Sequence, residues 1–122
     1  MKDLLGVPYM VHGRGMEGLD CWGLAIEVMK RYGVKLPDLW YQDSTSRESI
    51  RGSIVAEADF ERIDHVDEPC IVTLQNHCCV NHVAVYIGGG NIIHSTEKRG
   101  VVIEPLRRYK SRIEGIYKVS NH

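Results

Sequence analysis

No apolar stretch in this sequence approaches the ~20 residues that a bilayer-crossing helix needs, so no membrane partner is expected. Charge of one sign is also lacking. Fifteen Lys+Arg stand against 16 Asp+Glu, a net charge of −1. That excludes the broad basic footprint of a nucleic-acid binder, and no nucleic-acid partner is expected. The chain has no internal repeat and no low-complexity tract. Its start, MKDLLGVPYMVHGRG, lacks a long apolar core and a small-residue cleavage site. No secretory signal is read there, and synthesis in the cytoplasm is expected. Cysteine is sparse: Cys21, Cys70, Cys78 and Cys79. Adjacent Cys78 and Cys79 cannot readily bridge each other, and a domain of this size coheres without staples, so the thiols are expected to be reduced.

What is present fits one folded domain over residues 1–122. The 122 residues are 43% hydrophobic and 25% charged, enough for one core and too few for two. Glycines at 6, 13, 15 and 18 mark an irregular N-terminal arm and loop. After Asp20 the pattern turns helical. Trp22, Ala25, Ile26, Met29 and Tyr32 recur at three- and four-residue steps, predicting an amphipathic helix over about 21–32. Asp20 is its expected N-cap, Gly33 its expected C′ residue, and Pro37 prevents continuation. A second helix is expected from about Ser46 to Ala58 and a short strand at 60–64. From residue 70 the period becomes two. CIVTL, NHVAVYIG, NIIHST, GVVIEPL and IEGIYKV predict five strands. Helix first and antiparallel sheet after is an α+β pattern.

Three residues carry chemistry. Cys21 sits where loop becomes helix, and the unpaired amides and partial positive charge of a helix start lower a thiol's pKa. The Cys21 N–H at that junction could also face an oxyanion. Cys21 also fits an ordinary buried cysteine on its helix's apolar face, which is the reading that position alone favours. A thiolate nucleophile needs a base and the base an orienting partner. His82 shares a strand face with Ala84 and Tyr86, while Val83, Val85 and Ile87 form the core-like face. A three-residue loop, Gly88-Gly89-Gly90, would set Ile87 against Asn91. His94 then opposes Ala84 and lies diagonal to His82, close enough for contact. A two-residue loop would put His94 on the wrong face. Cys21, His82 and His94 thus read as nucleophile, base and orienter.

GLDCWGL, RYGVKLPD, NHVAVYIGGGNIIHS and IEGIYKV resemble the NlpC family of cysteine peptidases across about residues 6–119. The GRG…GLDCWGL form is similar to tail-assembly peptidase domains of long-tailed phages. The resemblance implies a papain-like α+β domain, its catalytic helix packed on an antiparallel sheet of about five strands. It implies hydrolysis of cell-wall stem peptides between D-glutamate and the following diamino acid. Partners would be the peptidoglycan stem peptide and other phage tail proteins, with the protein virion-associated and acting at the bacterial cell wall. By position, Cys21 matches the nucleophile, His82 the base and His94 the third polar residue. Tyr9 matches a tyrosine near the oxyanion, and Asp20 an acidic residue that orders the loop. The sequence departs from the family at His12, where a glycine is usual, and at Trp22, where serine is common. Both are candidates for the substrate groove, as are Trp40 and Tyr41 in the following loop. Glu68-Pro69 replaces a usual Gly-Asp.

No cofactor and no metal are expected. A competing reading is a structural zinc site around His77, Cys78, Cys79 and His82, although HCC-x-x-H is not a usual zinc spacing. Another is a noncatalytic tail-assembly module.

Overall fold

The computed structural model describes residues 2–36, 60–75 and 80–119. The expected second helix, Trp40, Tyr41, His77, Cys78 and Cys79 lie outside the described residues.

A 3₁₀ turn at Lys2–Leu4 leads through the N-terminal arm to a small ladder, β1 (Arg14–Gly15) against β2 (Gly18–Leu19). Helix α1 (Cys21–Arg31) follows at once. Then come β3 (Phe60–Ile63), β4 (Cys70–Gln75), β5 (Val80–Tyr86), β6 (Asn91–Thr96) and β7 (Gly100–Pro105). A 3₁₀ helix, Leu106–Arg112, leads into β8 (Ile113–Val119). The α+β order is as expected. The main sheet has six strands rather than about five, in the order β3-β8-β4-β5-β6-β7, and every pairing is antiparallel. The sixth is the short 60–63 strand, which pairs with the C-terminal β8.

Both ends of α1 are closed by the expected residues. The Asp20 side chain accepts from the Gly23 N–H at 2.6 Å. At the other end Gly33, at φ +78°, donates to the Lys30 carbonyl, and Val34 donates to Met29. Those two bonds form a Schellman motif, which the left-handed glycine makes cheap. Helix α1 lies on β5 and β6, the two strands carrying His82 and His94. Trp22, Leu24, Ala25, Val28 and Met29 bury themselves there with Ile71, Val83, Val85 and Ile93.

The sheet's opposite face is also covered. Cys70, Val72, Leu74, Ala84 and Ile92 form a second core, roofed by Leu106 and Tyr109 of the 3₁₀ helix. Strand alternation puts His82 and His94 on this second face. His94 is therefore held in a packed environment, while His82 is only half-buried.

Trp22 departs from its expected place beside a substrate groove. It is 1% exposed and packs near the Phe60 ring, 6.2 Å between centroids. Its helical spacing with Ala25 and Met29 points it inward, and a large apolar ring on that stripe is core.

Candidate active site

The loop before α1 is built for close approach. A Cβ on Gly23 would run into the Gly13 carbonyl oxygen, and one on Gly13 into the Gly18 carbonyl. Glycine at these positions lets the β1–β2 ladder press against the first turn of α1. Arg14 reinforces the junction, donating to the Gly13 carbonyl at 2.9 Å and to Asp20 Oδ1 at 2.7 Å. Asp20 is buried, so one carboxylate oxygen serves as both helix cap and ion-pair partner. His12 has φ +59°, the left-handed region that glycine favours. The histidine thus keeps the backbone shape expected of the glycine it replaces, and it lies exposed on the loop.

Cys21 opens α1 and is 3% exposed. Cys21 and Cys70 are both thiols. Half-buried Tyr9 lies within electrostatic reach of Cys21 and Asp20. Burial first, then negative charge at Cys21, Asp20 and Glu97, pushes its hydroxyl up to about 12. Tyr9 therefore remains an O–H donor near neutral pH. The Ser95 hydroxyl donates to the Leu19 carbonyl at 2.7 Å. That bond ties the chain two residues before Cys21 to the strand position next to His94.

The glycine loop has the three-residue form. Val85 pairs with Ile93 and Tyr86 with Ile92, Ile87 N–H donates to the Asn91 carbonyl, and Gly88, Gly89 and Gly90 all have positive φ. The register brings the histidines together: His82 Nε2 is 2.8 Å from His94 Nδ1. The rings meet edge to face, 5.0 Å between centroids.

The sequence reading missed what lies behind them. His94 Nε2 is 2.6 Å from Glu104 Oε2. Glu104 is 5% exposed and accepts three more hydrogen bonds. Tyr109 donates to Oε2 at 2.7 Å, and Arg99 and Arg108 donate to Oε1 at 2.9 and 3.1 Å. Burial pushes the Glu104 carboxyl up, but the bonds from Tyr109, His94 and Arg99 outweigh it and hold it down at about 2. His94 is held below the usual imidazole range by burial, against the opposing pull of Glu104. Burial, His94 and Arg112 bring His82 down to about 3. The resting pair is thus two neutral imidazoles in line with an ionised carboxylate. A signal for Glu104 was present: a carboxylate inside the apolar run GVVIEPL. Ile92 opposes Glu104, which puts that carboxylate diagonal to His94 on the same face.

Among the described residues, no group of three or more His, Cys, Asp or Glu side chains is placed to hold a metal ion. Three of the four candidate ligands in the HCC-x-x-H segment, His77, Cys78 and Cys79, lie outside them. No helix among the described residues is long and apolar enough to cross a membrane.

Comparison with known proteins agrees with this architecture. The chain is 37% identical over 106 residues to gamma-D-glutamyl-L-lysine dipeptidyl-peptidase of Bacillus cereus, covering 86% of this chain and 29% of that protein. It is 25% identical over 105 residues to Murein DD-endopeptidase MepS/Murein LD-carboxypeptidase of Escherichia coli K12, covering 85% of this chain and 50% of that protein. The chain thus spans half or less of the length of these relatives. A crystal structure of an NlpC/P60 family protein from Bacillus cereus superposes with a TM-score of 0.68 at 28% identity, over 96% of this chain and 37% of that one. The NlpC/p60 domain of the peptidoglycan hydrolase SagA shares the fold, with a TM-score of 0.67 at 16% identity over 97% of this chain and 92% of that one. The model of the NlpC/P60 family matches residues 6–115, and the chain belongs to that family.

Proposed function

We propose that this chain is a cysteine peptidase that cuts peptidoglycan stem peptides at the amide between D-glutamate and the following diamino acid. The observations that carry the reading are a thiol at a capped helix start and a His82–His94 pair at 2.8 Å on β5 and β6, the two strands on which that helix packs. The name of the Bacillus cereus relative, a gamma-D-glutamyl-L-lysine dipeptidyl-peptidase, supports the choice of bond.

In this mechanism the Cys21 thiol gives its proton to His82, and the sulfur attacks the amide carbonyl carbon. The carbonyl oxygen becomes an oxyanion. The Cys21 amide, in the first turn of the helix, and the Tyr9 hydroxyl would face it. As the tetrahedral intermediate collapses, the C–N bond breaks and the imidazolium of His82 protonates the leaving amine. A thioester to Cys21 remains. His82 then takes a proton from water, the hydroxide adds to the thioester carbonyl, and the acid product leaves as the thiol is restored. His94 holds the base ring, and Asp20 orders the loop that presents Cys21. His12 is a groove candidate at the exposed side of this loop.

The phage-type form of GRG…GLDCWGL further supports a working place in a phage or prophage tail, with tail proteins as partners and the bacterial cell wall as the site of action. The test is mass-spectrometric analysis of muropeptides of defined stem composition incubated with wild type and with Cys21→Ala. Release of a new amino terminus on the diamino acid, absent with the variant, is the expected result. A folded wild-type chain that cleaves none of them would overturn the peptidase reading and leave the assembly module.

A further inference from the structure

Glu104 has no role in the family resemblance or in the mechanism above, yet this buried carboxylate has four side-chain hydrogen-bond partners. Its four partners come from three places. His94 reaches it from β6, Arg99 from the turn after β6, and Arg108 and Tyr109 from the 3₁₀ helix. Arg112 adds positive charge near the two histidines without bonding to the carboxylate.

We infer that Glu104 is a positioning residue that sets the tautomers of both histidines and leaves Nδ1 of His82 as the base nitrogen. The inference rests on the peptidase reading for its catalytic consequence, and on hydrogen-bond chemistry for the rest. An ionised carboxylate only accepts hydrogen bonds. His94 Nε2 at 2.6 Å from Glu104 Oε2 must therefore carry the proton of that contact. A neutral imidazole has one N–H, so His94 Nδ1 is then an acceptor. His82 Nε2, 2.8 Å away, must donate to it. Neutral His82 has then spent its one N–H on Nε2, and its Nδ1 carries a lone pair. Each proton in the chain follows from the one before, and the first is set by Glu104. With the opposite tautomer of His82, Nδ1 would carry a proton and could not accept one from a thiol. When His82 takes a second proton, the Glu104 charge stabilises the cation through His94, against Arg99, Arg108 and Arg112.

The experiment is nitrogen-15 NMR of the imidazole rings in wild type and in Glu104→Gln, with thermal unfolding as a check on folding. In wild type near neutral pH, both rings are expected to be protonated on Nε2 and bare on Nδ1. In Glu104→Gln the amide can donate as well as accept. The single tautomer is expected to give way to a mixture, and His82 to take up its proton at lower pH than in wild type. On a cleaved muropeptide, kcat should fall at least about tenfold with little change in KM, since acid–base catalysis supplies ~10²–10⁴ of rate. A proton on Nδ1 of His82 or His94 in wild type would overturn the assignment. So would a folded Glu104→Gln with wild-type tautomers and kcat. If Glu104→Gln does not fold, the wild-type spectrum decides alone. The tautomers are read without substrate, so a chain that cleaves nothing would defeat the peptidase reading and leave this result standing on its own.

Discussion

His82 and His94 meet at 2.8 Å because three glycines, not two or four, separate Ile87 from Asn91. Side chains alternate faces along a strand, so a one-residue change in the loop moves every residue of β6 to the other side relative to β5. Deletion of Gly89 is expected to separate the two rings and lower kcat about a hundredfold or more, the scale of a lost acid–base arrangement. Muropeptide turnover and the histidine NMR signals check it. A deletion variant with normal turnover would mean that the His82–His94 contact does not matter.

Asp20 closes α1 and pairs with Arg14 through the same oxygen. Asp20→Ala is expected to cost about 1–2 kcal/mol, the upper range for a lost N-cap. Asp20→Asn keeps an acceptor for the Gly23 N–H and should lose less. Urea denaturation of the three proteins measures the difference, and equal losses for both variants would contradict the capping role.

A Cβ on Gly23 would run into the Gly13 carbonyl, whereas one on Gly15 would meet nothing. Gly23→Ala should therefore destabilise by about 1–3 kcal/mol, as overpacking does, and displace the loop that presents Cys21. Gly15→Ala should change stability little. Thermal unfolding of both variants, with muropeptide turnover alongside, tests whether loop contact and activity fall together.

Acid should destabilise the fold, and the sign follows from the histidines. The imidazole of His82 drops from 6.5 to about 3 on folding. Between those values the unfolded chain binds more protons, so stability is full above about pH 6.5 and falls as the pH drops towards 3. Glu104, lowered from 4.5 to about 2, acts in the same direction at lower pH. The urea midpoint should fall between pH 7.5 and 5, and by less in His82→Gln. An unchanged midpoint would contradict the neutral pair.

Much of this was legible in local sequence. The helix start and stop, the strands after residue 70 and the glycine-loop register all rest on neighbours a few residues apart. The His82–His94 contact followed from that register alone. What escaped was non-local. Strand β3 pairs with β8, some fifty residues further along the chain, and periodicity says nothing about such partners. Glu104 was hidden by an inverted pattern, since Ile103 is 38% exposed while the carboxylate beside it is buried. The covering 3₁₀ helix, LRRYKSR, is so polar that it reads as a loop, yet its Leu106 and Tyr109 roof the second core. Trp22 was misplaced for another reason: the family departure drew it towards the groove while its helical spacing already put it in the core.

The central claim is that Cys21 is a nucleophile activated by its helix start and by His82. Site-resolved alkylation by iodoacetamide against pH, read by mass spectrometry in wild type and His82→Ala, tests it most directly. Cys70 is the internal control, because burial pushes its thiol up. The account predicts that Cys21 reacts with a midpoint well below an ordinary thiol's ~8.5 and below that of Cys70, and that the midpoint rises when His82 is removed. A Cys21 that titrates like Cys70, or that is indifferent to His82, would contradict it.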